Sequence, residues 1–260
     1  MYELKADSPI GIMDSGMGGI SVLREIVKVM PQEKYIFFGD SAHAPYGSRS
    51  TEEIYQLTEN VVQQLLDQKV KAIVVACNTA SSAAGAKLRQ EYPQLPIIAI
   101  EPALKPAVLT CSGGRIAVLA TEATLREKKF ACLMEDWQNR AEILKLPLPG
   151  LADFVERGEL HTPALKSFLQ SHLEKLGNKK IDAVVLGCTH YPFVQRALQE
   201  LLGEDTKFFD GATGTARQLR RRLYSLQLLN HNSQGEIIWQ NSSSDPAMIE
   251  LSKKLFQIEL

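Results

Sequence analysis

KAIVVACNTA (residues 71–80) and DAVVLGCTHY (182–191) are the two stretches whose reading decides the fold of this chain. In each, four or five apolar residues run on without a break and end at a cysteine, Cys77 or Cys188, with a threonine close behind. An unbroken apolar run of this length reads as a strand buried on both faces, as in a parallel sheet covered by helices. Its end is the carboxyl edge of the sheet, where open α/β sheets bind ligands. One cysteine there is compatible with a small core residue. Two in matching contexts need a common reason.

Outward from these runs, further strands are predicted at 9–13, 34–38, 96–100, 115–119 and 206–209. Amphipathic stretches fill the gaps, notably 51–67 and 162–176. Strands alternating with helical segments indicate βαβ units. The segments after the two cysteines also match: strand, Cys, Thr, then helix. This suggests duplication. The expected architecture is α/β, with two similar doubly wound parallel-sheet lobes facing each other and the active site in the cleft between them. The first lobe, carrying Cys77, is expected to comprise 1–98 plus 207–260. The second, 99–206, carries Cys188. The QNSSSD stretch at 240–245 reads as a surface turn.

Composition narrows the function. The chain has 260 residues, 45% hydrophobic and 23% charged, with a net charge of −1. No global basic field points to nucleic acid, and no apolar stretch is long enough for a membrane span. The Arg220–Arg222 run alternates with leucines at helical spacing and reads as a solvated helix face. The N-terminus has no apolar signal region, and four cysteines in a chain this long form no disulfide framework, so a cytoplasmic location is expected. Cys111 and Cys132 lack the strand-end context and read as structural.

Two other strand ends are unusually polar. GIMDSGMGGISVLREI (11–26) passes from a strand through Asp14, Ser15 and three glycines into a helix. It matches neither the dinucleotide fingerprint nor the P-loop. Its glycine turn is suited either to simple chain reversal or to a nest of N–H groups for a carboxylate. FFGDSAHAPYGSRST (37–51) is a loop of the kind that carries function. His43 within it reads as an exposed loop residue.

What chemistry would use the two thiols? Cys188 and His190 are too few for a zinc site. A cysteine hydrolase would leave Cys77 unexplained. Inversion of a carbon centre uses both, one group removing a proton from one face and the other returning a proton to the opposite face. A thiol at a helix N-terminus is further expected to be stabilised as thiolate.

Five blocks, in order, carry a resemblance: DSGMGG (14–19), GDSAHAPYG (39–47), ACNTAS (76–81), LATEAT (119–124) and LGCTHYP (186–192). On these the chain resembles the glutamate racemases of the cofactor-independent aspartate/glutamate racemase superfamily. His190 after the Cys-Thr pair favours glutamate over aspartate. The resemblance implies interconversion of L- and D-glutamate without cofactor or metal, a role in peptidoglycan synthesis, and a homodimer. It implies that Cys77 acts on D-glutamate and Cys188 on L-glutamate, with Asp14 assisting the first and His190 the second. Asp14, Ser15, Tyr46, Gly47, Asn78, Thr79, Thr121, Thr189 and His190 would hold the substrate. Asp40 and Glu156 would be supporting carboxylates. Glu156 fills the acidic position of a segment, LPGLADFVERGEL (148–160), whose preceding residues depart from the family's usual Phe-Val-Pro-Leu-Val-Glu.

Overall fold

The computed structural model describes residues 3–231 and 234–260. Its strands are β1 (Ile10–Asp14), β2 (Lys34–Gly39), β3 (Ala72–Val75), β4 (Ile97–Ala99), β5 (Arg115–Ala120), β6 (Glu142–Pro147), β7 (Ala183–Gly187), β8 (Lys207–Asp210) and β9 (Glu236–Asn241). Its helices are α1 (Ile20–Val29), α2 (Thr51–Asp67), α3 (Asn78–Glu91), α4 (Leu104–Thr110), α5 (Glu122–Arg126), α6 (Lys128–Glu135), α7 (Leu151–Glu156), α8 (Pro163–Leu173), α9 (Gln195–Leu202), α10 (Ala212–Ser225) and α11 (Ala247–Gln257).

The strands form two wholly parallel sheets, ordered β4-β3-β1-β2-β9 and β6-β5-β7-β8. The second order repeats the first once β9 is set aside, with β5 in the place of β1 and β7 in the place of β3. In both sheets the winding direction reverses between the first strand and the third. That reversal opens a crevice at the strands' carboxyl ends. Cys77 follows β3 and Cys188 follows β7, so the two thiols occupy equivalent crevices. Asp14 ends β1, and Thr121 follows β5 in the corresponding place.

The apolar runs form strands because both faces are covered. Every residue of β1, β3 and β7 is buried. On one face of the first sheet, α2 packs Ile54, Val61, Val62 and Leu65 inward. Burying each such side chain contributes about 1.5–3 kcal/mol. The start of α2 is set by a capping box, in which the Ser50 hydroxyl accepts from the Glu53 N–H and the Glu53 carboxylate accepts from the Ser50 N–H. Among the described residues no helix is long and apolar enough to cross a membrane.

Four expectations are corrected. Residues 207–210 do not return to the first lobe but pair as β8 with β7, the counterpart of β4. The chain crosses back at Gly211, where a Cβ would lie 2.3 Å from the Glu101 carbonyl oxygen, so the two interlobe crossings pack directly on one another. β6 and β9 are additional strands; both are edge strands, with the apolar run interrupted by Lys145 in β6 and cut short by polar residues on either side in β9. Residues 240–241 belong to β9, so the turn at its end starts later than expected. No α-helix begins directly after Cys188; a 3-10 turn at Tyr191–Val194, with Pro192 in it, precedes α9.

Candidate active site

Cys77 is the N-cap of α3, and its Sγ accepts from the Ala80 N–H at 3.4 Å. Ser15 Oγ lies 3.3 Å from the same sulfur. The helix terminus alone would favour thiolate, as the sequence suggests. Burial and the nearby Asp14 charge outweigh it and push the thiol up to about 12. Cys77 therefore rests protonated. Asp14 is fully buried; its two oxygens accept from the Gly16 N–H and the Thr189 hydroxyl, each at 3.0 Å. Burial raises its carboxyl above the ordinary value, against the opposing influence of His190 and both hydrogen bonds.

The Cys188 side is built differently. His190 Nδ1 lies 3.6 Å from Cys188 Sγ, and His190 Nε2 lies 2.6 Å from Glu156 Oε1. Burial disfavours the imidazolium, but the bonds to Cys188 and Glu156 outweigh it, so His190 titrates well above its ordinary value. Burial likewise opposes ionisation of Glu156, yet His190, the Met17 N–H and Ser41 together hold its carboxyl below the ordinary value. The Gly18 N–H also points at Nε2, from 3.2 Å. That nitrogen cannot accept while it holds the proton shared with Glu156, and the short contact to a carboxylate keeps the proton there.

In the glycine turn of residues 16–19 one N–H meets the Glu156 carboxylate, while those of Gly16 and Gly18 face Asp14 and His190. The Met17 N–H donates to Glu156 Oε1 at 2.6 Å. A Cβ on Gly16 would stand 2.2 Å from that oxygen, and one on Gly18 would stand 2.4 Å from His190 Nδ1. These glycines let the second lobe's acid–imidazole pair press against the first lobe's backbone.

One cavity of about 150 Å³ is lined by both cysteines together with Ser15, Tyr46, Gly47, Asn78, Thr79, Thr121, Glu156, Thr189 and His190. Asp14 and Asp40 stand behind its wall. Asp14 holds Thr189, and Asp40 accepts from the Tyr46 hydroxyl at 2.6 Å while meeting His43 Nδ1 at 2.8 Å. Burial and that bond raise the Tyr46 phenol, so it remains neutral. Thr79, Thr121 and Thr124 join their hydroxyls across the cleft at 2.9–3.3 Å. Asn78 Oδ1 is buried and has no hydrogen-bond partner among the described residues.

This geometry has relatives. Residues 10–219 match the Asp/Glu/hydantoin racemase family. The chain belongs to that family. It is 48% identical over 252 residues to the glutamate racemase of Clostridium novyi, covering 96% of this chain and 97% of that protein. Among solved structures it resembles glutamate racemase isoform RacE1 of Bacillus anthracis, with a TM-score of 0.86 and 30% identity over 97% of this chain and 95% of that one. It also resembles the glutamate racemase of Francisella tularensis in complex with D-glutamate, with a TM-score of 0.84 and 27% identity over 98% and 95% of the two chains.

Sequence reasoning missed several residues in this member of the family. Thr124 is buried in the hydroxyl cluster, and its signal was present: it stands three residues after Thr121, the position whose N–H the N-cap side chain accepts. Tyr191, directly after His190, lines the cavity and donates to the Leu148 carbonyl. Ser41, two residues beyond Gly39 at the end of β2, reaches Glu156 Oε2 at 3.5 Å. No sequence spacing connects residues so far apart.

Proposed function

We propose that this protein is a glutamate racemase, interconverting L- and D-glutamate by a two-base mechanism in which Cys188 and Cys77 act on opposite faces of Cα. One observation carries the reading: Cys77 and Cys188, at equivalent strand ends of the two sheets, both line the same cavity.

In the direction from L- to D-glutamate, Cys188 takes the α-proton and Cys77, protonated at rest, delivers one to the opposite face. His190 is the counter-ion whenever Cys188 carries charge. The reverse direction exchanges the roles, as suits a substrate and product of equal free energy. The α-proton of an amino acid is far less acidic than a thiol, so the site must stabilise the charge developing at Cα. Water exclusion and fixed N–H dipoles serve this purpose. Asn78 Oδ1, lacking a donor among the described residues, suits the substrate ammonium. The hydroxyls of Ser15, Thr79, Thr121 and Thr189, with the backbone at Gly47, suit its carboxylates. The resemblance adds a cytoplasmic homodimer that supplies D-glutamate for peptidoglycan.

The test is optical rotation of D-glutamate in deuterium oxide with purified protein and no added cofactor, with D-aspartate and D-alanine in parallel. Decay of the glutamate signal to zero, with deuterium at Cα, supports the reading. Decay with aspartate alone would correct the substrate. No decay with any of the three would reject the activity.

A further inference from the structure

Glu156 and His190 belong to the second lobe, but much of what holds Glu156 does not. Oε1 takes the Met17 N–H and Oε2 takes the Ser41 hydroxyl, both from the first lobe. Ser41 Oγ in turn accepts from Asn241 Nδ2 at 3.0 Å, and Asn241 is the last residue of β9. The amide's orientation is settled by its other end, since Asn241 Oδ1 accepts from the Ser243 N–H at 2.8 Å. Its NH2 therefore faces Ser41, the Ser41 oxygen is occupied as an acceptor, and the Ser41 proton is left to donate to Glu156. Every bond in the chain has one direction, from β9 toward the carboxylate.

We propose, resting on the racemase reading, that Ser41 and Asn241 are positioning residues for the Cys188 half of the site. Asn241 orients Ser41, Ser41 and Met17 hold Glu156, and Glu156 aims His190 at the thiol, so the imidazole's counter-ion is completed only when the two lobes meet. This gives β9, the strand that breaks the likeness of the two sheets, a task in the chemistry. It also explains why the glycine turn admits no side chain at Gly16, where the carboxylate must reach the first lobe's backbone. The titratable groups facing His190 are Cys188 from its own turn, Glu156 from α7 and Asp14 from the end of β1. Of these, only Glu156 is reached by the Ser41 chain. The arrangement thus acts directly on the Cys188 side and reaches Cys77 only through Asp14 and Cys188.

The experiment is imidazole ¹⁵N NMR of His190 across pH, assigned by comparison with His190→Gln. It is made on the wild type, Ser41→Ala, Ser41→Thr and Asn241→Ala. Alkylation of Cys77 and Cys188 by iodoacetamide is followed in parallel by peptide mass. Ser41→Ala should lower the His190 titration by less than about one pH unit, because the 3.5 Å Ser41 bond acts on the imidazolium only through Glu156. Ser41→Thr should restore it. Asn241→Ala should shift it in the same direction by less, and the alkylation profile should change more at Cys188 than at Cys77. A folded Ser41→Ala protein whose His190 titrates as in the wild type would overturn the proposal. Equal changes at both thiols would overturn it too, since they would indicate general loosening. Should Ser41→Ala not fold, Asn241→Ala decides by the same criterion. Neither readout needs turnover, so a shifted His190 in a protein that racemises nothing would uphold the relay and reject the racemase reading.

Discussion

The Thr189 hydroxyl donates to the Asp14 carboxylate at 3.0 Å, joining the residue after one cysteine to the buried acid beside the other. Asp14 is wholly out of contact with water, so this bond and the one from the Gly16 N–H carry the burden of its solvation. Thr189→Val keeps the shape and removes the donor. It should cost about 1–3 kcal/mol of stability, the penalty for a buried acceptor left unmet. Urea denaturation at neutral pH measures this, and an unchanged midpoint would show that Asp14 does not depend on the opposite lobe.

Cys77→Ala and Cys188→Ala should each lower racemisation by at least about 10²–10⁴-fold, the usual worth of a positioned proton donor or acceptor. Chiral chromatography of glutamate after long incubation reads the loss. Either variant interconverting both enantiomers near the wild-type rate would sink the two-base mechanism.

The His190–Glu156 pair predicts a stability profile with two shoulders. The raised His190 stabilises the fold fully below its unfolded value of 6.5, and that contribution is lost as pH rises through its higher folded value. The lowered Glu156 stabilises fully above 4.5, and that contribution is lost as pH falls through its depressed folded value. Glu156→Gln should remove the acid shoulder and move the alkaline one to lower pH. Denaturation midpoints measured from acid to alkaline buffer check both limbs, and coincident profiles for the two proteins would refute the pairing.

Far from the site, Lys71 Nζ and Glu33 Oε2 form a fully buried ion pair at 2.5 Å near the starts of β3 and β2. Lys71 also donates to the Ala6 carbonyl, while Glu33 accepts from the Asn230 N–H. The pair ties the N-terminal segment and the connection between α10 and β9 to the first sheet. Lys71→Met leaves Glu33 charged and unpaired, and should destabilise the protein by about 3–5 kcal/mol. The remaining folded protein should keep its kcat, measured well below the new midpoint. A large loss of kcat would show that this end of the sheet communicates with the cavity.

Much of this was legible because some signals are local. An apolar run such as 182–187 has few alternatives to a buried strand, and a cysteine at its end must then face the crevice. The two edge strands were missed for a related reason. In EILKLP and EIIWQN only one neighbour supplies hydrogen bonds, so sequence there is free to carry charged and polar residues that blur the pattern. The return of the chain at 207 was misplaced because β8 looks alike in either sheet; only pairing with β7 decides it.

Residues 14–19, 77–79 and 188–190 by themselves determined two matching strand ends, two thiols and the glycines beside them, because each feature depends on neighbours in the chain. Only the tertiary structure decided what the glycine turn holds, how Asp14 is paired, and that Ser41 and Asn241 stand behind Glu156. These depend on two lobes meeting across a cleft, where short-range hydrogen bonding and burial act between residues that no spacing relates. The two thiols thus come from equivalent places in the sheets yet rest in unlike surroundings, one beside a buried carboxylate and the other beside an imidazolium.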